Sequence, residues 1–336
     1  MNRMPALPPP PSRRRFIGIT AAAAGLALLP LGAGAATAPL RVWRGVALGA
    51  DAMLQIQHPD VTEADRLIGL CLAEVSRLEA IFSLYRPDSA ILRLNRTGWL
   101  AEPPPDLLRI LGEAAAFGRL TGGAFDITVQ PLWRLYAAHF SRADADPAGP
   151  AAAAIAAVLP LVGQAAIEFD PAAVRLPRPG MAITLNGIAQ GYVTDRVAEL
   201  LLASGIERAL VDMGETRALG DRPGGGPWRI GLEDPAHPGE VAETVALRSR
   251  AIATSGGYGT PFDAHGRFNH IFDPATGGTS RRYRAISVLA ASATAADALS
   301  TAFCVMPLAA IAPVVERLGL ALHVVLADGT RQVLGA

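Results

Sequence analysis

The two most informative segments of the chain read Asn269-His-Ile-Phe-Asp-Pro-Ala-Thr-Gly277 and, further along, Ala296-Asp-Ala-Leu-Ser-Thr301. The first segment combines a titratable histidine with a carboxylate and a Pro-x-Thr-Gly turn. In a helix, Asp297 and Thr301 project from the same face, because they are one turn apart. A carboxylate and a hydroxyl at that spacing are hard oxygen ligands, which suit a magnesium-type ion.

The same helical segment also fits a purely structural role. Thr294-x-x-Asp297 has the spacing of a capping box, in which a carboxylate near the start of a helix satisfies backbone donors. From these residues alone, a capping carboxylate and a metal ligand are alternatives. His270 likewise fits either a catalytic base or a satisfied core residue.

The N-terminus is typical of an export signal. Ser12-Arg-Arg-Arg-Phe-Ile-Gly18 precedes an apolar, alanine-rich run that ends before the small residues Ala33-Gly-Ala35. This order predicts a twin-arginine signal over residues 1–35 and a folded domain over 40–336. A membrane anchor is the weaker alternative, since glycines and Pro30 interrupt a run shorter than the roughly 20 apolar residues of a span. We therefore expect a periplasmic protein without a stable membrane anchor.

The composition excludes several kinds of chemistry. All 30 basic residues are arginine, which excludes lysine nucleophiles, Schiff bases and P-loops, and 30 acidic residues balance them. The sequence has no basic patch, so nucleic acid is not an expected partner. Cys71 and Cys304 lie far apart in apolar helical patterns without a C-x-x-C motif, which predicts two buried free thiols.

Short strand patterns mixed with amphipathic helices predict an α+β fold. Thr62-x-x-Asp65 is a candidate capping box for one long helix. A strand over 183–185 is expected to lead through Asn186-Gly187 into a helix over about 189–204. Asp328-Gly329 indicates a hairpin near the C-terminus.

Further motifs make the chain resemble a known family. Gly187-Ile-Ala-Gln-Gly-Tyr192, Gly123-Ala-Phe-Asp126 and the A-D-A-x-x-T pattern of 296–301 resemble segments of the ApbE-type FAD:protein FMN transferases. The resemblance runs from about residue 42 to the C-terminus. It implies a two-lobed, T-fold-like α+β domain of mixed, largely antiparallel sheets with packed helices and an FAD cleft between the lobes.

The resemblance also implies roles for individual residues. Mg²⁺ would be bound by the side chains of Asp297 and Thr301 and by the carbonyl of Gly187. His270 would be the base that activates an acceptor hydroxyl. FAD, as the substrate, would contact Leu48, Tyr85, Ala124, Phe125, Asp126, Thr184, Gln190 and Ile271. From the residues alone, Asp126 also fits a helix cap and Asn186-Gly187 an ordinary turn.

Two positions depart from the pattern of the family. Thr184 stands where the family has a carboxylate, and Gln190 stands where it has Lys or Glu, so both changes remove charge and keep hydrogen bonding. They resemble the NosX-like subgroup associated with nitrous oxide reductase maturation. The expected activity is transfer of FMN to a Thr or Ser of an acceptor flavoprotein subunit in a membrane redox complex. FAD pyrophosphatase activity and a non-catalytic flavin-binding maturation factor are the alternatives.

Overall fold

The structure, a computed structural model, describes residues 38–335, and the predicted signal over 1–35 lies outside them. The helices are α1 (Val61–Phe82), α2 (Ala90–Thr97), α3 (Pro105–Leu120), α4 (Gln130–Phe140), α5 (Ala152–Val158), α6 (Ala189–Ala203), α7 (Ala293–Phe303) and α8 (Leu308–Leu318). The strands are β1 (Leu40–Ala47), β2 (Ala50–Gln57), β3 (Trp99–Ala101), β4 (Glu168–Phe169), β5 (Ala173–Arg175), β6 (Ala209–Asp212), β7 (Thr216–Leu219), β8 (Trp228–Asp234), β9 (His237–Leu247), β10 (Ala251–Ser255), β11 (Tyr283–Ala290), β12 (Ala321–Leu326) and β13 (Arg331–Gly335).

One eight-stranded sheet organises the molecule, in the order β1-β2-β6-β7-β10-β11-β12-β13. Neighbouring strands of this sheet pair antiparallel throughout. Side chains alternate between its faces, because successive residues of a strand point to opposite sides. One face packs on the helices through residues such as Leu54, Val211 and Ile286. The other face is covered by the β8–β9 hairpin, with Trp228 and Ile252 in that core. The predicted α+β fold with largely antiparallel sheets and packed helices is confirmed.

The long helix α1 begins at a different cap from the one predicted. Asp60 accepts from the backbone amides of Thr62 (2.8 Å) and Glu63 (3.3 Å) through Oδ1. Asp65 instead pairs with Arg41 across to strand β1, at 2.9 Å. The predicted Thr62-x-x-Asp65 capping box is therefore wrong, because an aspartate directly before the helix provides the acceptor.

The segment 181–186 is not a strand, contrary to the prediction over 183–185. The side chain of Asn95 takes the place of a neighbouring strand, since it donates to the carbonyl of Ile183 (2.8 Å) and accepts from its amide (2.7 Å). Helix α6 then follows close to the predicted bounds. Its Tyr192 donates to Asp106 of α3 (2.7 Å), and Asp106 also pairs with Arg77 of α1 (2.8 Å). Three helices are thereby fixed to one another.

The predicted β12–β13 hairpin is confirmed, and so are two buried free thiols at Cys71 and Cys304. Burial raises the pKa of each thiol to about 12, so neither is a thiolate near neutral pH. Within residues 38–335, no helix is long and apolar enough to cross a membrane.

Candidate active site

Asp297 is buried in the first half of α7 and is not a cap of its own helix. Ser292 is the N-cap of α7 and accepts from the amide of Ala295 at 3.2 Å. Asp297 lies beyond the capping positions, and its Oδ2 accepts from the backbone amide of Gly191 in α6, at 3.0 Å. The capping-box interpretation of Asp297 is therefore wrong, because the carboxylate bonds to a different helix.

The electrostatic environment of Asp297 lacks a positive charge. Among residues 38–335 it has no ion-pair partner within 4.0 Å. Its pKa is raised to about 7, chiefly by burial; the hydrogen bond from the Gly191 amide opposes the rise, and the charge of Asp195 adds to it. A buried carboxylate without a counter-charge is costly, and a divalent cation would compensate that cost.

Thr301 and Gly187 meet one turn further along α7. A Cβ added to Gly187 would lie 2.9 Å from the Thr301 Oγ1, so the backbone of the turn before α6 packs directly on this threonine. The hydroxyl of Ser255, at the end of β10, lies 3.3 Å from Thr301 Oγ1 and 2.7 Å from Ser300 Oγ. The structure thus brings the predicted metal-binding residues together on two adjoining elements.

The donor set of this site fits a hard cation. It offers one carboxylate, hydroxyl groups and a backbone carbonyl, all oxygen. Within the described part of the chain, no group of three His, Cys, Asp or Glu is placed to hold a metal. Mg²⁺ tolerates so few protein ligands, because it usually keeps several waters and binds substrate phosphates.

A second carboxylate, which the sequence reasoning missed, lies close to Asp297. Burial raises the pKa of Glu215 well above its ordinary value, and the charges of Asp297 and then Asp212 add to the rise. Glu215 follows Gly214 in the turn between β6 and β7. Gly214 adopts φ of +101°, and a Cβ there would lie 2.6 Å from Nε2 of Gln190. The acidic residue directly after a strand and a glycine was the available signal for Glu215.

His270 lies beside the segment that continues from β10. A Cβ on Gly259 would be 3.6 Å from its Cε1, and its Nδ1 lies 3.3 Å from the carbonyl of Thr260. A carbonyl can only accept, so Nδ1 carries the proton in this bond and Nε2 is left as the acceptor. Burial lowers the pKa of His270 below 6.5, and the bond to Thr260 partly offsets this.

Asp273 stabilises the turn that follows it in the chain. Its Oδ1 accepts from the amide of Ala275 at 2.9 Å, and its carbonyl accepts from Gly277 at 2.8 Å. Ile271, next to the histidine, is 5% exposed and belongs to the main core.

The loop Gly123–Asp126 combines exposed glycines with a half-buried, hydrogen-bonded carboxylate. Gly122 and Gly123 are exposed at φ of +61° and +89°. Asp126 caps the short 3₁₀ helix Ile127–Val129 by accepting from Thr128 (2.7 Å), and its other oxygen accepts from the amide of Gln164 (2.9 Å). The capping role of Asp126 is therefore confirmed.

Neighbouring residues of the predicted flavin set differ in exposure. The Phe125 ring is 3% exposed and packs edge-on against Phe117, while Ala124 is half-buried. Thr184 accepts from the amide of Asn186 (3.2 Å) within the turn before α6. Its own amide donates to the carbonyl of Ile127 (2.7 Å), which connects this turn to the 3₁₀ helix.

Leu48 is held in an unusual backbone conformation. It lies at φ +48° in the two-residue turn between β1 and β2, and its amide donates to Glu79 Oε1 of α1 at 2.7 Å. A leucine in the left-handed region is uncommon, and such strain is concentrated at ligand sites. Tyr85, just after α1, is 64% exposed. Flavin contact by these residues stays a prediction.

These features define the class of the protein: an antiparallel α+β enzyme with hard oxygen donors on α7 and on the turn before α6. The chain belongs to the ApbE family, whose family model matches residues 48–325. Both the family and the fold expected from the motifs are thereby confirmed. Membership of the NosX-like subgroup stays a prediction.

Relatives of known name support this assignment. The chain is 35% identical over 266 residues to the FAD:protein FMN transferase of Vibrio cholerae, covering 75% of this chain and 76% of that protein. It is 31% identical over 261 residues to the Haemophilus influenzae protein of that name, covering 74% and 75%. The crystal structure of the ApbE protein from Thermotoga maritima matches with a TM-score of 0.79 at 30% identity, covering 88% of this chain and 97% of that one.

Proposed function

We propose that this chain transfers FMN from FAD to a Thr or Ser hydroxyl of an acceptor protein, with Mg²⁺, and releases AMP. The observation that carries the proposal is the buried, uncompensated carboxylate of Asp297 beside the Thr301 hydroxyl and the Gly187 turn. The names of the relatives supply the reaction, and the oxygen-only donor set supports the metal.

The acceptor oxygen forms a bond to the phosphorus nearer riboflavin, and the bond between that phosphorus and the bridging oxygen breaks. AMP leaves with the bridging oxygen. The hydroxyl proton passes to Nε2 of His270, since Nδ1 is occupied by Thr260. Because burial lowers the pKa of His270, the ring is neutral at pH 7 and able to accept that proton.

When bound at Asp297, Thr301 and the Gly187 carbonyl, Mg²⁺ would neutralise charge on the pyrophosphate oxygens. The residues of the protein itself must bind and orient FAD. We propose Leu48, Tyr85, the Ala124–Asp126 loop, Thr184, Gln190 and Ile271 for that role. Thr184 and Gln190 offer hydrogen bonds without charge at the two positions where the family has charged residues.

Two other functions use the same residues. Water in place of the acceptor hydroxyl gives an FAD pyrophosphatase that releases FMN and AMP. The neutral Thr184 and Gln190 favour a second candidate, a flavin-binding maturation factor without turnover, of the kind associated with nitrous oxide reductase assembly.

We also propose that the protein acts in the periplasm, exported by the twin-arginine pathway, on a periplasm-facing subunit of a membrane redox complex. The arginine motif within residues 1–35 supports the location.

The test incubates the protein with FAD, Mg²⁺ and a candidate acceptor, followed by in-gel flavin fluorescence and chromatography for AMP. A fluorescent covalent band with equimolar AMP supports the transferase. AMP and FMN without a band indicate the pyrophosphatase. FAD binding with neither product indicates the maturation factor and contradicts the proposed activity.

A further inference from the structure

We infer that Asp195 is a positioning residue that holds the two halves of the metal site in register, an inference that rests on the proposed function. One half is the Gly187 turn, which leads into α6. The other half is the Asp297 and Thr301 face of α7. Asp195 belongs to α6, yet its carboxylate bonds to the start of α7.

The hydrogen bonds of Asp195 are complete. Its Oδ1 accepts from the amide of Ala293 (2.9 Å) and from Arg217 Nη1 of β7 (2.6 Å). Its Oδ2 accepts from both the amide (2.8 Å) and the hydroxyl (2.6 Å) of Thr294. A carboxylate has about four acceptor sites, so Asp195 has no free lone pair to offer a cation. Its charge is balanced by Arg217, whereas that of Asp297 is not.

The hydrogen bonds to Asp195 cap α7 with a residue from a different helix. The first amides of a helix have no partner within the helix, and an acceptor that satisfies them fixes where the helix begins. Ser292, the N-cap of α7, accepts from the amide of Ala295, and Asp195 accepts from the two amides before it, those of Ala293 and Thr294. The start of α7 is therefore set jointly by Ser292 and by Asp195 of α6.

A second hydrogen bond joins the two helices with α6 as the donor: the amide of Gly191 donates to Asp297 Oδ2. Gly191 and Asp195 are one turn apart on α6, and their partners are one turn apart on α7. The approach is also sterically close, since a Cβ on Gly191 would lie 2.3 Å from the carbonyl of Ala293. Both the axial register and the separation of α6 and α7 are thus fixed at this contact, and Asp297 is placed relative to Gly187 by it.

The test compares Asp195→Asn with the wild type and with Asp60→Asn. Asn keeps one acceptor oxygen but turns an amide NH₂ toward donors, so the tie to α7 is weakened. Asp60 is the matched control, since it also caps a helix, at the N-terminus of α1, opposite the end where Glu79 contacts Leu48. Mn²⁺ alone is titrated and followed by electron paramagnetic resonance, and amide hydrogen exchange is measured at Gly191.

We expect Asp195→Asn to weaken Mn²⁺ binding by about 10- to 100-fold, the usual range for residues that orient a metal ligand. Exchange at the Gly191 amide should accelerate, and FMN transfer should recover at high Mg²⁺. Asp60→Asn should change none of these quantities. Thr294→Val, which removes only one hydroxyl bond to Asp195, should give a smaller loss in the same direction and serves if Asp195→Asn does not fold.

Equal Mn²⁺ affinity and equal Gly191 exchange in the Asp195 and Asp60 variants would overturn the inference. Failure of the proposed function has a different signature, because the wild type would then give no covalent flavin. The Mn²⁺ and exchange measurements do not depend on transfer and decide the role of Asp195 in either case.

Discussion

The backbone amide of Gly191 donates a 3.0 Å hydrogen bond to Asp297 Oδ2, across the contact between α6 and α7. This bond requires the two helices to approach closely, and the missing side chain at Gly191 allows it. Besides Asp195, a glycine without a functional side chain therefore helps to place the candidate metal ligand.

Gly191→Ala should separate the two helices, because the added Cβ would lie 2.3 Å from a backbone carbonyl that has little freedom to move. Overpacking of this kind costs about 1–3 kcal/mol. We expect a lower melting temperature and loss of FMN transfer. Gly69→Ala in α1 is the matched control, since a Cβ there meets nothing within 4 Å and alanine favours a helix by about 1 kcal/mol. A Gly191→Ala protein as stable and active as the wild type would contradict the close-approach account.

Asp297→Asn should abolish Mg²⁺-dependent transfer while the fold is retained. The amide oxygen still accepts from Gly191, but the negative charge that would attract the cation is lost. Thr301 provides a paired test on the same helix face: Thr301→Ser keeps the hydroxyl and should keep activity, whereas Thr301→Val should lose it. The measurement is transfer rate against Mg²⁺ concentration, with a melting curve for each variant. Full activity of the Asp297→Asn protein would contradict the assignment of Asp297 as a metal ligand.

The sequence predicted those parts of the molecule that depend on local patterns. The β12–β13 hairpin follows from Asp328-Gly329, and the bounds of α6 follow from its periodicity. Asp297 and Thr301 were proposed as a pair because one helical turn joins them and because 296–301 matches the A-D-A-x-x-T pattern of the family. The role of Asp195 was not predicted, because its partners in α7, Ala293 and Thr294, lie 98 and 99 residues away in the sequence. A local sequence pattern cannot indicate so distant a contact.

The wrong element predictions share a physical cause. The 183–185 segment has the composition of a strand, but a side chain, Asn95, supplies the hydrogen bonds of a neighbour. At α1, the nearer acceptor Asp60 caps the helix in place of the predicted capping box. At α7, Ser292 and Asp195 accept from the first amides, which leaves no capping role for Asp297 in that helix. Which hydrogen-bond acceptor a backbone amide finds depends on the tertiary structure. The spacing of residues along the sequence does not reveal it.

Leu48→Gly should separate backbone strain from flavin contact. Glycine adopts φ of +48° without penalty, but the leucine side chain also packs on the main core, so the free energy of unfolding should change by no more than about 1 kcal/mol. If the leucine side chain packs on the flavin, FAD affinity should fall at the same time. Ser249→Gly relieves a similar φ of +47° in an exposed turn and should raise stability without changing FAD binding. Unchanged FAD affinity in Leu48→Gly would show that the side chain does not contact the flavin.

Replacing Arg13 and Arg14 together with lysine should leave an unprocessed precursor in the cytoplasm, because the twin-arginine pathway reads the guanidinium pair. Cell fractionation and immunoblotting measure the outcome. Normal export and cleavage would point to the general secretory route.

His270→Ala should slow FMN transfer by about 10²- to 10⁴-fold, the usual cost of removing a general base. FAD binding should persist, since the proposed ligands for the metal and flavin come largely from other residues. His270→Asn is the closer variant, because its amide NH₂ can still donate to the carbonyl of Thr260 while offering no basic nitrogen. His139→Ala is the control, as the ring of His139 also bonds to a backbone carbonyl, that of Asp146 at 2.9 Å.

The pH dependence gives the same assignment a second test. Burial lowers the pKa of His270 below its ordinary 6.5, so the base is available at pH 7 and is protonated only in more acidic solution. At saturating Mg²⁺, which keeps Asp297 ionised, the wild-type rate should therefore fall in acidic solution, and both His270 variants should lack this limb. His270 should also make the free energy of unfolding depend on pH. At pH values between its lowered pKa in the folded protein and its ordinary pKa, the unfolded chain binds more protons than the folded one. The folded protein should therefore lose stability as the pH falls through that range. A His270 variant that no longer quenches FAD fluorescence and melts many degrees lower would instead identify a core residue.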